Sequence, residues 1–404
     1  MHLAPPEELG LSSAGLRRID EHLLAHYIEP GKITGALTLV ARRGRIAWLS
    51  PLGQMDRERG KPTAADTIYR IYSMTKPIAT VALMMLHERA VFALSDPVHR
   101  WIPEWEGLRV FRYGGYPDFT TEPAARPMSI RDLLCHMSGL SYGIMNRSPV
   151  DAAYRQLGII DGRGTLRDMI DKLARLPLEF SPGTRFGYSV ATDVVAHLVE
   201  VMSGQRFDRY VGERILAPLG MVDTGFAVPP EKIGRFAASY ARSADGRTTL
   251  LDDPQDSGFG RPPTFFSGGS GLVSTATDYF RFAEMLRCGG ELDGVRLLGP
   301  RTVAYMTRNH LPGGADLASL ALGSYSETRY EGVGFGLGVY VMIDPVRAQV
   351  PSSPGEYGWG GLASTAFWID PAEELVVIFM TQLVPSTSFN FRGQLKSIVY
   401  GAIA

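Results

Sequence analysis

The sequence predicts an α/β fold, in which an antiparallel sheet flanked by helices is interrupted by an inserted, mainly helical domain. Three observations support this: a β-hairpin near the N-terminus (33–49), β-forming runs that return only late in the chain (334–380), and amphipathic helices between them. Strands from both ends of a chain can join one sheet. We therefore expect a discontinuous α/β domain from residues 1–95 and 240–404, with the inserted helical domain at 96–239.

The elements of the α/β part follow from apolar periodicity and turn residues. The first helix opens at 11–14, and the hairpin at 33–49 turns at Arg43-Gly44. A second, strongly apolar helix follows Ser73 and runs to about Arg89. The later elements are a helix, three strands and a closing helix, predicted at 276–286, 334–342, 364–368, 375–380 and 391–400.

The insertion carries few strand signals and several helix signals. Ser129 followed by Asp132 predicts a capping box at the start of a short helix. Two amphipathic helices follow at 166–176 and 191–202, and Pro177 ends the first of them. The cleft between the two predicted domains is the expected place for a binding site.

Composition excludes several classes of protein. The chain has 404 residues, of which 45% are hydrophobic and 21% charged, and its formal net charge is −1. This balance argues against nucleic acid or an anionic membrane as the main partner. The N-terminus shows no signal-peptide pattern and no apolar run is long enough to span a bilayer, so we expect a cytoplasmic protein. Cys135 and Cys288 show neither metal-ligand nor disulfide spacing, and we expect both to be buried and reduced.

Ser73 and Lys76 form the most informative chemical motif. They are three residues apart at a helix start, so they share one face of its first turn. A hydroxyl and an amine this close can share a proton, which suits a serine nucleophile that works without a catalytic histidine. At a helix start, the N–H of Ser73 can also face an oxyanion on the attacked carbonyl. The alternative is an N-cap serine beside a solvated lysine.

A serine nucleophile also needs a proton acceptor and a second oxyanion donor. Tyr188 follows a turn and precedes a helix, so it can point into a cleft, although a packing role is the alternative. Burial lowers the pKa of a lysine, and a nearby ammonium stabilises tyrosinate, so a Lys–Tyr pair can replace histidine. The run Trp359-Gly360-Gly361-Leu362 lets a ligand approach the backbone and offers the N–H of Leu362, although a glycine bulge at a strand start explains it equally well.

A second serine motif competes with the first. Ser141 lies in Gly139-Leu140-Ser141-Tyr142-Gly143, which matches the Gly-x-Ser-x-Gly elbow of α/β-hydrolases. That elbow requires a strand before the serine and a helix after it, whereas here a predicted helix precedes the motif and a loop follows. We therefore expect Ser141 to line the cleft together with Tyr142 and not to act as the nucleophile.

The histidines do not indicate catalysis or metal binding. His136 is expected to pack within its short helix or to cap it. His197 follows Asp193 by four residues, which predicts an ion pair on one helix face. No histidine cluster with metal-ligand spacing is present in the sequence, so no metal is expected.

In their order and spacing, these motifs resemble those of the family VIII carboxylesterases, the esterase branch of the serine β-lactamase and penicillin-binding-protein fold. The resemblance rests on Ser73-x-x-Lys76, Tyr188 and Trp359-Gly360-Gly361, and it covers nearly the whole chain. Three flanking runs agree with it as well, namely 72–76, 133–140 and 268–274.

The resemblance implies a β-lactamase/transpeptidase-like fold and a serine hydrolase that cleaves short-chain acyl esters through an acyl-enzyme. No cofactor is implied, and the expected partner is a small-molecule ester. The implied nucleophile is Ser73, with Lys76 and Tyr188 as its proton-transfer pair, and the N–H groups of Ser73 and Leu362 form the implied oxyanion hole. We also expect the substrate to contact Tyr142, from its place in the cleft, and the run Trp359, Gly360 and Gly361.

Two departures from the related class C β-lactamases favour esters. Those enzymes carry a Tyr-x-Asn motif, whereas this chain has Val190 at the position of the asparagine. Valine cannot hydrogen-bond an amide side chain. Trp359-Gly360-Gly361 stands where they carry Lys-Thr-Gly, so the charged contact to a substrate carboxylate is missing. The alternatives left open are a β-lactamase, a D-amino peptidase or an acyltransferase on the same site, and a non-catalytic penicillin-binding-type protein.

Overall fold

The structure, a computed structural model, describes residues 3–323 and 329–404, and strands from both chain ends form its main sheet. The strands in these residues are, in chain order, β1 (Gly35–Arg42), β2 (Arg45–Asp56), β3 (Lys61–Pro62), β4 (Tyr69–Arg70), β5 (Arg109–Gly115), β6 (Asp118–Pro123), β7 (Ser239–Arg242), β8 (Thr248–Asp252), β9 (Val273–Ser274), β10 (Glu291–Leu292), β11 (Val295–Arg296), β12 (Val333–Phe335), β13 (Tyr340–Met342), β14 (Tyr357–Gly360), β15 (Ala366–Asp370), β16 (Leu375–Met380) and β17 (Leu383–Val384). Eight of them form one antiparallel sheet in the order β12-β13-β14-β15-β16-β1-β2-β3.

Helices cover both faces of this sheet and fill the middle of the chain. In the described residues they are α1 (Ser13–Leu23), α2 (Thr75–Glu88), α3 (Ile130–Leu134), α4 (Pro149–Gln156), α5 (Leu166–Leu173), α6 (Ala191–Ser203), α7 (Phe207–Val211), α8 (Ala276–Arg287), α9 (Pro300–Met306), α10 (Leu317–Leu320), α11 (Pro345–Ala348) and α12 (Phe391–Tyr400). None of these helices combines the length and the apolar character needed to cross a bilayer.

The central strand β16 shows why the sheet needs helices on both sides. Its residues are all apolar and all buried, and successive side chains of a strand point to opposite faces. Val376 and Ile378 belong to the core shared with α2 and α8, whereas Val377 and Phe379 belong to the core shared with α1 and α12. The predicted α/β class, with an antiparallel sheet flanked by helices, is therefore confirmed.

Most predicted elements are present, one hairpin was not predicted, and two predictions are wrong. The hairpin β5–β6 was not predicted because its mostly exposed residues lack an apolar alternation, although the region around it has few strands, as expected. The predicted strand 334–342 is two strands, since the chain reverses between β12 and β13 at Gly338, whose φ of 77° favours glycine. Cys288 is exposed rather than buried, whereas Cys135 is buried.

The domain division stays a prediction, but the packing of α2 shows how the two predicted parts meet. The sheet strands come from residues 35–62 and 333–380, within the predicted α/β segments. Helix α2 contacts α6 and α7 of the predicted insertion, and all but a few of its side chains are buried. The N-terminal end of α2, where Ser73 lies, is thereby held by both parts of the chain.

Candidate active site

Ser73 lies in a tight turn that immediately precedes α2. The turn is a 3₁₀ helix, Tyr72–Met74, and the Met74 N–H donates to the Ile71 carbonyl at 3.0 Å. Tyr72 has a φ of 41°, an unfavourable region for a residue with a side chain, so the surrounding structure must hold the turn in place. Tyr279 contributes by donating its hydroxyl to the Met74 carbonyl at 2.9 Å.

The structure brings together the three residues that the sequence predicted as a catalytic group. Lys76 Nζ lies 3.1 Å from Ser73 Oγ, and the Tyr188 hydroxyl oxygen lies 2.7 Å from the same atom. Lys76 Nζ is also 4.6 Å from the centre of the Tyr188 ring. Because Tyr188 is far from Ser73 in sequence, only the packing of α6 against α2 creates this contact.

Lys76 is buried, with 1% of its surface exposed, and polar atoms surround its ammonium group. Besides Ser73, Nζ donates to the Gly269 carbonyl at 2.8 Å and lies 3.4 Å from the Tyr142 hydroxyl. Gly269 belongs to the glycine-rich run 268–271, which lies between β8 and β9. A Cβ at Gly268 would come within 2.6 Å of the Thr192 carbonyl, so this close approach requires glycine.

The electrostatics of Lys76 differ from the expectation for a buried lysine. Burial favours a lower pKa, but the hydroxyls of Tyr142 and Tyr188, with the carboxylate of Asp193, outweigh burial and raise the pKa of Lys76. The shift therefore runs opposite to the one expected from burial alone. Lys76 is an ammonium ion at neutral pH, and its charge favours a negative charge on a neighbouring oxygen.

Asp193 is a site residue that the sequence reasoning missed. It is buried, accepts hydrogen bonds from the Ser267 hydroxyl and from the Gly269 N–H at 3.0 Å, and thus holds the loop that receives Lys76. Burial raises the pKa of Asp193, while Ser267 and Lys76 act against burial. The sequence signal that could have identified Asp193 as a site residue is its acidic side chain within the otherwise apolar helix 191–202.

The predicted ion pair between His197 and Asp193 is wrong. Asp193 faces the glycine-rich loop, and the nearest carboxylate to His197 Nδ1 is that of Glu200, at 3.9 Å. Burial lowers the pKa of His197 to about 4, so it is neutral at physiological pH. His136 packs as expected: its ring centre lies 4.8 Å from that of Tyr188, and its Nδ1 lies 3.3 Å from Ser189 Oγ.

The turn after β14 carries the predicted second backbone donor, Leu362, which lines the same cavity as Ser73. Gly361 donates its N–H to the Thr365 carbonyl at 2.7 Å, and the Ser364 N–H donates to the Gly361 carbonyl at 3.0 Å. Within the described part of the chain, these bonds leave the intervening N–H of Leu362 available for another acceptor. A Cβ at Gly361 would lie 2.5 Å from the Ile71 carbonyl oxygen, so the turn packs directly on the backbone that precedes Ser73.

A cavity of about 930 Å³ opens at Ser73 and contains every predicted substrate-contacting residue. Tyr142, Trp359, Gly360 and Gly361 all line it, as do Tyr188 and Leu362. The Tyr142 ring stacks on the Tyr188 ring with centroids 5.3 Å apart, and the Trp359 ring lies 5.6 Å from that of Tyr188. Val190 is fully buried beneath the site and offers the cavity no polar group.

We expected Ser141 to line the cavity, but it does not. It is fully buried, and its hydroxyl donates to Asp151 Oδ1 at 2.9 Å. No strand precedes it, since α3 ends at Leu134, and a loop follows it, as the sequence predicted. A serine whose hydroxyl is committed to a buried carboxylate away from Lys76 has a structural role.

We predict that Gly361→Ala slows the reaction of Ser73 with an active-site phosphonate by about a hundredfold, because a shift near 1 Å at a reacting centre has this effect. The added methyl group would meet the Ile71 carbonyl and the Thr365 hydroxyl, and would push the Leu362 N–H away from Ser73. The measurement is the rate of covalent labelling, followed by mass spectrometry.

The matched control is Gly234→Ala, where nothing lies within 4 Å of the added group. It should label at the wild-type rate. Equal labelling rates of the two variants would show that the turn does not position the oxyanion donor.

Comparisons with known proteins show which family the chain belongs to. The Beta-lactamase family model matches residues 21–398. The chain is 35% identical over 365 residues to Protein Rv1367c of Mycobacterium tuberculosis, covering 90% of this chain and 89% of that protein. It is 33% identical over 401 residues to Esterase EstB of Burkholderia gladioli, covering 93% of each.

A solved structure supports the same assignment. EstCE1, described as a hydrolase with promiscuous acyltransferase activity, superposes with a TM-score of 0.79 at 29% identity, over 96% of this chain and 99% of that chain. These findings confirm the resemblance to the esterase branch of this fold that the motifs indicated. The chain belongs to the Beta-lactamase family of proteins.

Proposed function

We propose that the protein is a family VIII carboxylesterase, a serine hydrolase that cleaves short-chain acyl esters of small molecules through an acyl-enzyme on Ser73. The observation that carries this proposal is the placement of Ser73 Oγ within hydrogen-bond distance of both Lys76 Nζ and the Tyr188 hydroxyl, at a cavity of substrate size. Such a contact between nucleophile and proton acceptor is the signature of an activated serine.

In the proposed acylation step, Tyr188 reacts as its phenolate, and the phenolate oxygen takes the proton of Ser73. Lys76 is an ammonium ion, so it cannot accept that proton, but its charge stabilises the phenolate that does. Ser73 Oγ then bonds to the ester carbonyl carbon, and the carbonyl oxygen becomes an oxyanion held by the N–H groups of Ser73 and Leu362. When the ester C–O bond breaks, the Tyr188 hydroxyl returns the proton to the leaving alcohol oxygen.

Deacylation repeats these roles with water. Tyr188 takes a proton from a water molecule, whose oxygen bonds to the acyl carbon, and the same two N–H groups hold the oxyanion. The bond between the acyl carbon and Ser73 Oγ breaks, and Tyr188 returns the proton to Ser73 Oγ. In this scheme Asp193 is a positioning residue, because it touches only the loop that accepts a hydrogen bond from Lys76.

A cytoplasmic location also belongs to this proposal. Cys135 and Cys288 are both free, which suits a reducing compartment. The proposed partner is the ester substrate itself.

The alternatives use the same site with a different acceptor or substrate. Acyl transfer to an alcohol differs from hydrolysis only in what attacks the acyl-enzyme, and EstCE1 is described as having both activities. Turnover of β-lactams is disfavoured because Val190 is buried and Trp359 occupies the position of the cationic motif. A non-catalytic binding protein is disfavoured because Ser73, Lys76 and Tyr188 are assembled with hydrogen-bond contacts.

We predict that Ser73→Ala abolishes hydrolysis of p-nitrophenyl acetate, because within the described residues Ser73 is the only serine whose hydroxyl contacts Lys76 Nζ. Ser141→Ala should retain most of the activity, since the Ser141 hydroxyl binds Asp151 and not Lys76. Release of p-nitrophenol, followed across esters from acetate upward, measures both variants. An inactive Ser141→Ala beside an active Ser73→Ala would refute the assignment.

The proton-transfer assignment predicts unequal effects of two tyrosine substitutions. Tyr188→Phe should lower kcat by about 10²–10⁴-fold, the usual contribution of a general base. Tyr142→Phe should have a smaller effect, because its hydroxyl contacts Lys76 and not Ser73. Steady-state kinetics on p-nitrophenyl acetate distinguish the two, and equal losses would contradict the assignment of Tyr188 as the base.

We predict that a chromogenic cephalosporin is hydrolysed much more slowly than p-nitrophenyl acetate. The site lacks the amide contact of the missing asparagine, since Val190 offers only an apolar side chain. Turnover of both compounds by the same preparation makes the comparison. A cephalosporin kcat/KM equal to that of the ester would favour the β-lactamase alternative.

A further inference from the structure

The cavity at Ser73 is larger than a short-chain ester requires. Its volume of about 930 Å³ lies near the upper end of the roughly 300–1,000 Å³ that bury most of a drug-sized ligand. A cavity of this size leaves room for a part of the substrate that does not react.

Much of that remaining space is lined by apolar side chains. Ile144 and Met145, which follow Gly143, and Ile160 form one part of this lining, which we call the apolar wall. Ile144 and Ile160 are 49% and 37% exposed, so they present apolar surface to the opening of the cavity. Covering such side chains with an apolar ligand is favourable, because it removes their surface from water.

The segment 141–146 carries Ile144 and Met145 of this wall, and one buried carboxylate accepts most of its hydrogen bonds. Asp151 has no exposed surface, and it accepts hydrogen bonds from the Ser141 hydroxyl at 2.9 Å and from three N–H groups of the segment, those of Gly143 (2.8 Å), Met145 (3.4 Å) and Asn146 (2.7 Å). Asp151 also forms an ion pair with Arg155. A loop whose N–H groups converge on one fixed acceptor is rigid, so the wall is already formed before a substrate binds.

The position of this wall relative to Tyr188 shows which part of an ester it faces. The Val190 N–H donates to the Ser141 carbonyl at 3.0 Å, which ties the segment to the residues just after Tyr188. The Tyr142 ring then stacks on the Tyr188 ring. In the proposed mechanism Tyr188 protonates the leaving alcohol oxygen, so the body of the alcohol extends from Tyr188 over Tyr142 towards Ile144 and Met145.

We propose that the substrate of this site is a short-chain acyl ester of a bulky, apolar alcohol, and that the segment 141–146, positioned by Asp151, is the surface that recognises the alcohol. This inference rests on the proposed function and specifies its substrate class. Asp151 is a positioning residue in this account, since it lies behind the cavity and acts through the segment it holds.

The first test compares phenyl, 2-naphthyl and 4-biphenylyl acetate, whose alcohols differ in size but little in acidity. We expect kcat/KM to rise about tenfold from the smallest to the largest, as burial of the added apolar surface implies. A parallel series lengthens the acyl chain on p-nitrophenol. A flat response to the alcohol, or a rise that occurs only with the longer acyl chains, would overturn the inference.

The second test removes apolar surface from the wall. Ile144→Ser should lower kcat/KM for 4-biphenylyl acetate by about tenfold and leave phenyl acetate nearly unchanged, because only the larger alcohol reaches the side chain. Val222→Ser is the matched control, since Val222 is also exposed but lies outside the cavity. Equal effects of the two variants would overturn the assignment of this wall.

The third test addresses Asp151. Asp151→Asn keeps the size of the side chain but replaces an acceptor oxygen with an NH₂ donor. The Asn146 N–H and Arg155 then lose their acceptor, so the anchor of the segment is weakened. We expect KM for 4-biphenylyl acetate to rise severalfold with a smaller change in kcat, whereas a purely structural role would reduce activity on all esters equally. Should this variant not fold, Ile144→Ser still decides the inference.

Failure of the inference and failure of the proposed function give different results. If wild type hydrolyses none of the esters and Ser73 forms no phosphonate adduct, the proposed function is wrong and the inference with it. If phenyl acetate is hydrolysed normally while neither the alcohol series nor Ile144→Ser shows selectivity, only the substrate assignment is wrong.

Discussion

The site depends on one buried ammonium group. Lys76 is almost fully enclosed, and taking an isolated charge out of water is costly, so it must be surrounded by compensating oxygens. The Gly269 carbonyl, the Tyr142 and Tyr188 hydroxyls and the nearby carboxylate of Asp193 supply them. The same oxygens that make burial of the charge tolerable also define the positions of the base, the nucleophile and the glycine-rich loop.

Two buried aspartates divide the support of the cavity between them. Asp193 holds the glycine-rich loop and so fixes the surroundings of Lys76, whereas Asp151 holds the segment 141–146 and so fixes the apolar wall. Each carboxylate accepts several hydrogen bonds from a loop, which is how a fold keeps irregular backbone rigid. Reactivity and substrate recognition therefore rest on separate anchors, and one can change without the other.

The hydrophobic pattern of the sequence predicted the buried helices and strands well, but it missed an exposed hairpin that has no such pattern. The apolar run of β16, the helices α2 and α6 and the capping box at Ser129 were predicted almost to the residue, because local periodicity and capping chemistry specify them. The hairpin β5–β6 was missed because its residues are mostly exposed and show no alternation. Its strands are held by pairing with each other, which no local signal reveals.

By itself, the sequence determined the framework and the identity of the reacting groups, because motif spacing along one chain places Ser73 beside Lys76. Only the tertiary structure decided the protonation of Lys76 and the roles of Asp193 and Asp151. The sequence predicted a lysine pKa lowered by burial, whereas the assembled oxygens raise it. The charge state of a buried group depends on which atoms surround it, and those atoms come from distant parts of the chain that meet only when it folds.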